Sequence, residues 1–156
     1  MRLSTRTRAV TEIVMIIEAI LTKKGREVAT IGAQQTVAQA VAVLGERRIG
    51  ALPVVNGTDI VGIMSERDVI YCLQEHGAEV LEWPVERVMT APALTVTPSD
   101  AILNALALMS RRRIRHLPVV ADGRLCGIVS IGDLVQHRIE KIETEAEAMR
   151  SYIQGS

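Results

Sequence analysis

Two four-residue stretches carry side chains that could hold a phosphorylated sugar. Ser65-Glu66-Arg67-Asp68 follows Gly62-Ile63-Met64, and Ser130-Ile131-Gly132-Asp133 follows Gly127-Ile128-Val129. A strand that ends where a helix begins presents backbone N–H groups and a serine hydroxyl to an anion. A carboxylate three residues further on can accept two hydrogen bonds from a ribose diol, as an acidic residue does in dinucleotide-binding folds. Gly62 and Gly127 leave the backbone open to close approach. The same spacing also has a purely structural use. Serine at an N-cap with an acidic residue three positions later forms a capping box, here with Asp in place of the usual Glu.

Either use needs a strand ending on each serine and a helix starting there, and an internal repeat supplies both. Shifting the chain by 65 residues aligns Val28–Asp68 with Ala93–Asp133 without a gap, and 14 of the 41 pairs are identical. Arg47-Arg48-Ile49-Gly50-Ala51-Leu52-Pro53-Val54-Val55 matches Arg112-Arg113-Ile114-Arg115-His116-Leu117-Pro118-Val119-Val120. Each copy opens with an extended stretch, Ala29-Thr30-Ile31 or Leu94-Thr95-Val96. A helix follows, with Val37, Ala40, Val41 and Leu44 on one face, mirrored by Ile102, Ala105, Leu106 and Met109. Thr97-Pro98-Ser99-Asp100 reads as the start signal of the second copy's helix. Two strands come next, Leu52–Val55 and Ile60–Met64, then Leu117–Val120 and Leu125–Val129. Asn56-Gly57 and Asp122-Gly123 mark the hairpin turns. These apolar strands call for burial on both faces. A last helix starts at Ser65 and at Ser130.

Amphipathic segments flank the repeats. Val10, Ile13, Val14, Ile17, Ile20 and Leu21 mark one helical face before Gly25. Val135, Ile139, Ile142, Ala146, Met149 and Ile153 recur at alternating spacings of four and three, a heptad pattern on a helix rich in Glu and Lys. That stripe suits either a helix lying on its own domain or a helix–helix contact in a homodimer. The expected division is an N-terminal helix over 1–24, repeat one over 25–76, a linker over 77–87, repeat two over 88–140 and a C-terminal helix extension over 141–156.

The paired Gly-hydrophobic-hydrophobic-Ser-x-x-Asp motifs, each downstream of a Leu-Pro-Val-Val strand, resemble a tandem cystathionine-beta-synthase (CBS) domain pair. This is the Bateman module, here of the stand-alone bacterial type, and the resemblance spans about residues 25–140. It implies an α/β (α+β) fold of two β-α-β-β-α repeats packed in pseudo-twofold symmetry, with accessory helices at both ends. It further implies two clefts for adenosyl ligands and a regulatory, non-catalytic role, often as a dimer. Carried over by residue, Asp68 and Asp133 hold ribose hydroxyls, and Ser65 and Ser130 lie near the phosphate. The adenine slots fall near Ile49, Pro53 and Met64 in one cleft and near Ile114, Pro118 and Val129 in the other. Backbone groups around Thr30 and Thr95 read the adenine edge. Aliphatic dispersion would hold the base without aromatic stacking.

The copies differ where a ligand would sit. Gly50-Ala51 stands opposite Arg115-His116, and Glu66-Arg67 opposite Ile131-Gly132. Arg115 offers a phosphate fork, His116 a proton-dependent donor and Arg67 a further cation. AMP is the first expected ligand and NAD(H) the second, with ADP and ATP as further candidates. Lys23-Lys24-Gly25-Arg26 could reach a second phosphate or a dinucleotide's far half, or simply close a helix with charge. S-adenosylmethionine ranks lower, because its sulfonium would face Arg67 or Arg115. With no fused effector domain evident, the regulated target is expected to be a separate protein.

Composition narrows the alternatives. Apolar residues make up 48%, enough for a core. Lys+Arg and Asp+Glu are 18 each, which disfavours nucleic-acid binding through a net field. Aromatics are 2% with no Phe, which disfavours base stacking. The remaining nucleic-acid reading rests on the Arg111–Arg115 cluster, whose structural counterpart is a solvated helix end. A ligand-independent structural dimerisation module is the other rival. No Walker loop, GxGxxG or nucleophile–base pair supports an enzyme, so no catalytic residue is assigned. His76 and His137 lack the partners of a zinc site, and no metal is expected. Cys72 and Cys126 form neither a CxxC nor a disulfide framework, and no signal-peptide pattern is present. The expected compartment is therefore the cytoplasm. The apolar run Ala9–Leu21 is too short to span a membrane and contains Glu12 and Glu18.

Overall fold

The structure is a computed structural model and describes residues 15–155. Val10, Ile13 and Val14 of the N-terminal face lie outside the described residues. Helices and strands mix in an α+β fold with two small sheets. In chain order these are α1 (Ile17–Lys24), β1 (Ile31–Gly32), α2 (Val37–Arg47), β2 (Ala51–Asn56), β3 (Asp59–Ser65) and α3 (Glu66–His76). Two 3₁₀ turns follow, Gly77–Glu82 and Val85–Arg87, then α4 (Ile102–Arg112), β4 (His116–Ala121), β5 (Arg124–Ser130) and α5 (Ile131–Gln154). Among the described residues no helix is long and apolar enough to cross a membrane.

The chain groups into two compact units. One comprises Arg26–Thr97 with His116–Ile128; the other comprises residues through Gly25, Pro98–Arg115 and those from Val129 onward.

In the first unit, β1 runs parallel to β2, and β2 pairs antiparallel with β3 from Ala51↔Ser65 to Asn56↔Asp59. Gly57 takes φ 64° at the first central position of that hairpin, where a side chain would be strained. The β4–β5 turn uses Asp122 at φ 51° and Gly123 at φ 74°, the left-handed pair a type I′ turn needs. The second copy's expected first strand shrinks to one parallel bridge, Val96↔Val119. The cause lies in the sequence. Ala33 donates its N–H to the Val55 carbonyl at 3.0 Å, and Pro98 stands at the matching position with no N–H to give.

The main core joins Ile31, Val37, Ala40, Leu44, Leu52, Val54, Met64, Val69, Val80, Val85 and Val88. The expected α2 face needs one correction: Val41 is 38% exposed, because Val37, Ala40 and Leu44 already fill the buried stripe. The segment expected as a linker supplies core residues, since Val80 and Val85 are fully buried. Trp83 anchors it, with the Arg87 guanidinium over its ring at 3.8 Å and the His76 ring tilted against it at 5.0 Å between centroids.

In the second unit, α1 and α4 pack on α5, burying Ile17, Ile20, Leu21, Ile102, Met109 and Leu134. The start signal for α4 also needs correction. The helix starts at Ile102 with Ala101 as an N-cap that makes no side-chain bond. The Pro98 and Asp100 carbonyls instead accept the N–H groups of Glu18 and Ile17, and Met15 accepts the Ile102 N–H. In the other unit the same three bonds recur. Ala33 and Gln35 accept from Glu86 and Val85, and Trp83 accepts from Val37. Each copy's first long helix is thus received by a short segment that lies outside the 41 aligned pairs.

Candidate functional site

Both Ser-x-x-Asp motifs sit at a strand-to-helix junction, and both form the capping box. Ser65 caps α3: its hydroxyl oxygen accepts the Asp68 N–H at 3.2 Å, and Asp68 Oδ2 accepts the Ser65 N–H at 2.8 Å and its O–H at 3.1 Å. Ser130 caps α5 in the same way, at 3.1 and 2.8 Å. The next N–H is also taken in each copy: Glu66 donates to the Gly50 carbonyl at 2.9 Å, and Ile131 to the Arg115 carbonyl at 2.8 Å. Much of each helix's N-terminal donor set is therefore already engaged within the protein.

The second partner of each aspartate is where the copies part. Thr90 donates its hydroxyl to Asp68 Oδ1 at 3.2 Å. It is held there by a two-way backbone bridge with Ile63. Lys24 places its ammonium 2.6 Å from Asp133 Oδ2. A neutral hydroxyl faces one carboxylate and a cation faces the other. Neither Thr90 nor the Lys24–Asp133 pair was visible in the repeat. The available signal was Ile17-Glu18 against Val85-Glu86, which marks the segments that deliver these two residues. Lys23 pairs with Glu140, so both lysines of the Lys23–Arg26 cluster are engaged with α5 carboxylates.

Burial alone would raise the Asp133 pKa. Hydrogen bonds from Lys24 and the Ser130 N–H, with the Lys24 charge, outweigh it and hold the carboxyl below its ordinary range. Because the folded pKa is depressed, the pair stabilises the fold above the ordinary carboxyl pKa. That contribution is lost as pH falls through the lower folded value. Lys24→Met should therefore lower stability by up to about 1 kcal/mol at neutral pH, the scale of a partly exposed pair. The gap to the unmodified protein should close in acid. Urea unfolding of both proteins at pH 7 and below pH 3 (about one unit under the usual Asp value) checks this. An equal gap at both pH values would contradict the pairing.

The remaining residues of the first set lie in one unit. Ile49 and Gly50 are half-buried, Ala51 and Pro53 are buried, Thr30 is exposed and Arg67 is half-buried. Met64 has no exposed surface and belongs to the core. A Cβ on Gly50 would lie 3.0 Å from His116 Cε1 and 3.5 Å from Glu66 Oε1, so imidazole, carboxylate and an open backbone converge. A Cβ on Gly62 would lie 2.7 Å from both Met89 Sδ and the Thr90 carbonyl. The space beside that glycine is used by the chain's own backbone, not left open as expected.

The second set is divided between the units. Thr95 is exposed and Pro118 buried, and both belong with His116 to the first unit. Half-buried Ile114, exposed Arg115, buried Val129 and half-buried Ser130 and Asp133 belong to the other. Arg111 and Arg112 close α4, and Arg113 is its left-handed C-cap, where cations suit the helix dipole. Cys72 and Cys126 are free and half-buried rather than fully buried. Burial first, then the Asp68 and Glu75 charges, push the Cys72 thiol pKa up, which disfavours the thiolate.

The family model of the CBS domain matches residues 17–75 and 85–140. The chain belongs to the CBS domain family. Both matches begin within the receiving segments, at Ile17 and Val85, two residues after the carbonyls of Met15 and Trp83 that accept the first mirrored bond. Among solved structures, a protein with CBS domains from Burkholderia ambifaria is 40% identical, with a TM-score of 0.74, covering 80% of this chain and 94% of that one. A mitochondrial CBS domain-containing protein of Arabidopsis thaliana is 36% identical over 125 residues, 77% of this chain; the alignment spans 61% of that relative's length. A CBS domain pair solved with 5'-methylthioadenosine and S-adenosyl-L-methionine is 24% identical, with a TM-score of 0.72, covering 81% of this chain and 97% of that one. That last likeness is one of fold.

Proposed function

We propose that this CBS pair is a regulatory module that binds an adenine nucleotide, AMP or NAD(H), and passes the change to a dimer mate or separate target protein. The observation that carries the reading is Asp133 at the head of α5 with the Lys24 ammonium beside it. A carboxylate able to accept from a ribose diol, next to a cation able to meet a phosphate, matches the two ends of a nucleotide's sugar-phosphate. The same cation disfavours a sulfonium, so S-adenosylmethionine ranks below AMP and NAD(H). The role is that of a binding module and not an enzyme, since Ser65 and Ser130 use their hydroxyls as caps. Binding shifts a conformational equilibrium only through different affinity for its two states.

A ligand-independent dimerisation module is the rival, favoured by one observation: the capping boxes occupy the same serine and aspartate atoms. A thermal-unfolding screen against AMP, ADP, ATP, NAD⁺, NADH, S-adenosylmethionine and methylthioadenosine separates the two. Asp68→Ala and Asp133→Ala are run alongside, each referred to its own ligand-free midpoint, because removing the carboxylate of a capping box itself lowers stability. At about 100 times its dissociation constant a ligand adds roughly 2.7 kcal/mol, about 5–10 °C at this size. A shift with AMP or NAD(H) that disappears in one aspartate variant is the expected result. A shift with S-adenosylmethionine alone overturns the phosphate preference, and no shift with any ligand favours the rival.

A further inference from the structure

We propose that α5 pairs with α5 of a second copy as a parallel, in-register coiled coil over residues 135–153. Helix α5 is 24 residues long and buries only Leu134. Its heptad stripe faces outward: Val135 is 43% exposed, Ile142 52% and Ile153 69%. With Ile139, Ala146 and Ile153 at the a positions, the d positions are Val135, Ile142 and Met149. The alanine layer suits two closely approaching helices, since a third would enlarge the void beside it.

Charge selects the partner and its direction. In this register Arg138 and Glu145 are g residues, and Glu143 and Arg150 are e residues. A parallel pair sets each g residue against the e residue five positions on in the other copy. Arg138 then meets the partner's Glu143, and Glu145 meets the partner's Arg150. Symmetry doubles both pairs, giving four attractive contacts. An antiparallel pair centred on the Ile142 and Ala146 layers would instead bring Glu143 against its own copy and Glu145 against its own copy, both repulsive. A second copy running parallel therefore satisfies both the apolar stripe and the charges on its borders.

This specifies the dimer within the proposed function but needs no nucleotide, so it is tested on the ligand-free full chain. Sedimentation equilibrium should show a dimer. Glu145→Arg and Arg150→Glu should each weaken it by about tenfold, because each reversal turns two attractive contacts of the symmetric dimer repulsive. The double variant E145R/R150E should restore the original association. Circular dichroism confirms that each variant is folded, and the substituted side chains are exposed. A monomeric full chain overturns the proposal, as does a dimer that ignores the single reversals or is not restored by the double one. Neither outcome bears on the nucleotide-induced thermal shift.

Discussion

Gly62→Ala is expected to destabilise the protein by about 1–3 kcal/mol, the range for overpacking a filled site. A Cβ there would lie 2.7 Å from Met89 Sδ and 2.7 Å from the Thr90 carbonyl oxygen. The Met89 side chain can swing away. The Thr90 backbone cannot move without loss, because the Ile63 N–H donates to its carbonyl at 3.0 Å and its own N–H donates to Ile63 at 2.8 Å. Any shift of Thr90 also draws its hydroxyl away from Asp68, so damage in packing reaches the candidate site. Gly45→Ala is the matched comparison. Gly45 lies in α2, and a Cβ added there would meet nothing within 4 Å, so alanine should stabilise by about 0.5–1 kcal/mol through helix propensity. Urea unfolding of the two variants should move the midpoint in opposite directions. A Gly62→Ala protein as stable as the original would show that the 89–90 segment is not held against β3.

Leu52→Ala should cost about 2–5 kcal/mol, the range for truncating a buried leucine. Leu52 has no exposed surface, lies in the central strand β2 and pairs with fully buried Met64. Both neighbours of β2 are tied by backbone ladders, so the cavity cannot collapse cheaply. At about 2–4 °C per kcal/mol, the melting midpoint should drop by roughly 4–20 °C. Val41→Ala, which the same helical-face pattern would also place in the core, should change stability by under about 1 kcal/mol, because Val41 is 38% exposed. Comparable losses for the two substitutions in a calorimetric scan would refute this placement of the core.

Much of the fold was legible because it is set by residues close together in sequence. Glycines at turn positions that need positive φ gave both hairpins. Ser65 and Ser130, each followed by Asp at the third position, gave both helix starts. The reduction of the second copy's first strand was also within reach, since Pro98 lacks the N–H that Ala33 donates. The α4 start was misread because Thr97-Pro98-Ser99-Asp100 has cap chemistry, but its carbonyls serve the N–H groups of α1. Capping propensity is local, and a distant segment can take its place.

The duplication, the two hairpins and the Ser-x-x-Asp geometry at both helix heads are written in residues close together in the chain. Those features rest on periodicity, turn conformation and capping within a few residues. What each aspartate faces is set by contacts between distant segments. Thr90 reaches Asp68 across 22 positions, and Lys24 reaches Asp133 across 109. Both arrive on segments outside the aligned repeat, docked through backbone groups that any residue but proline can supply. Side-chain identity carries almost no record of such backbone contacts, so two motifs that share the Ser-x-x-Asp spacing end with a hydroxyl beside one carboxylate and a cation beside the other.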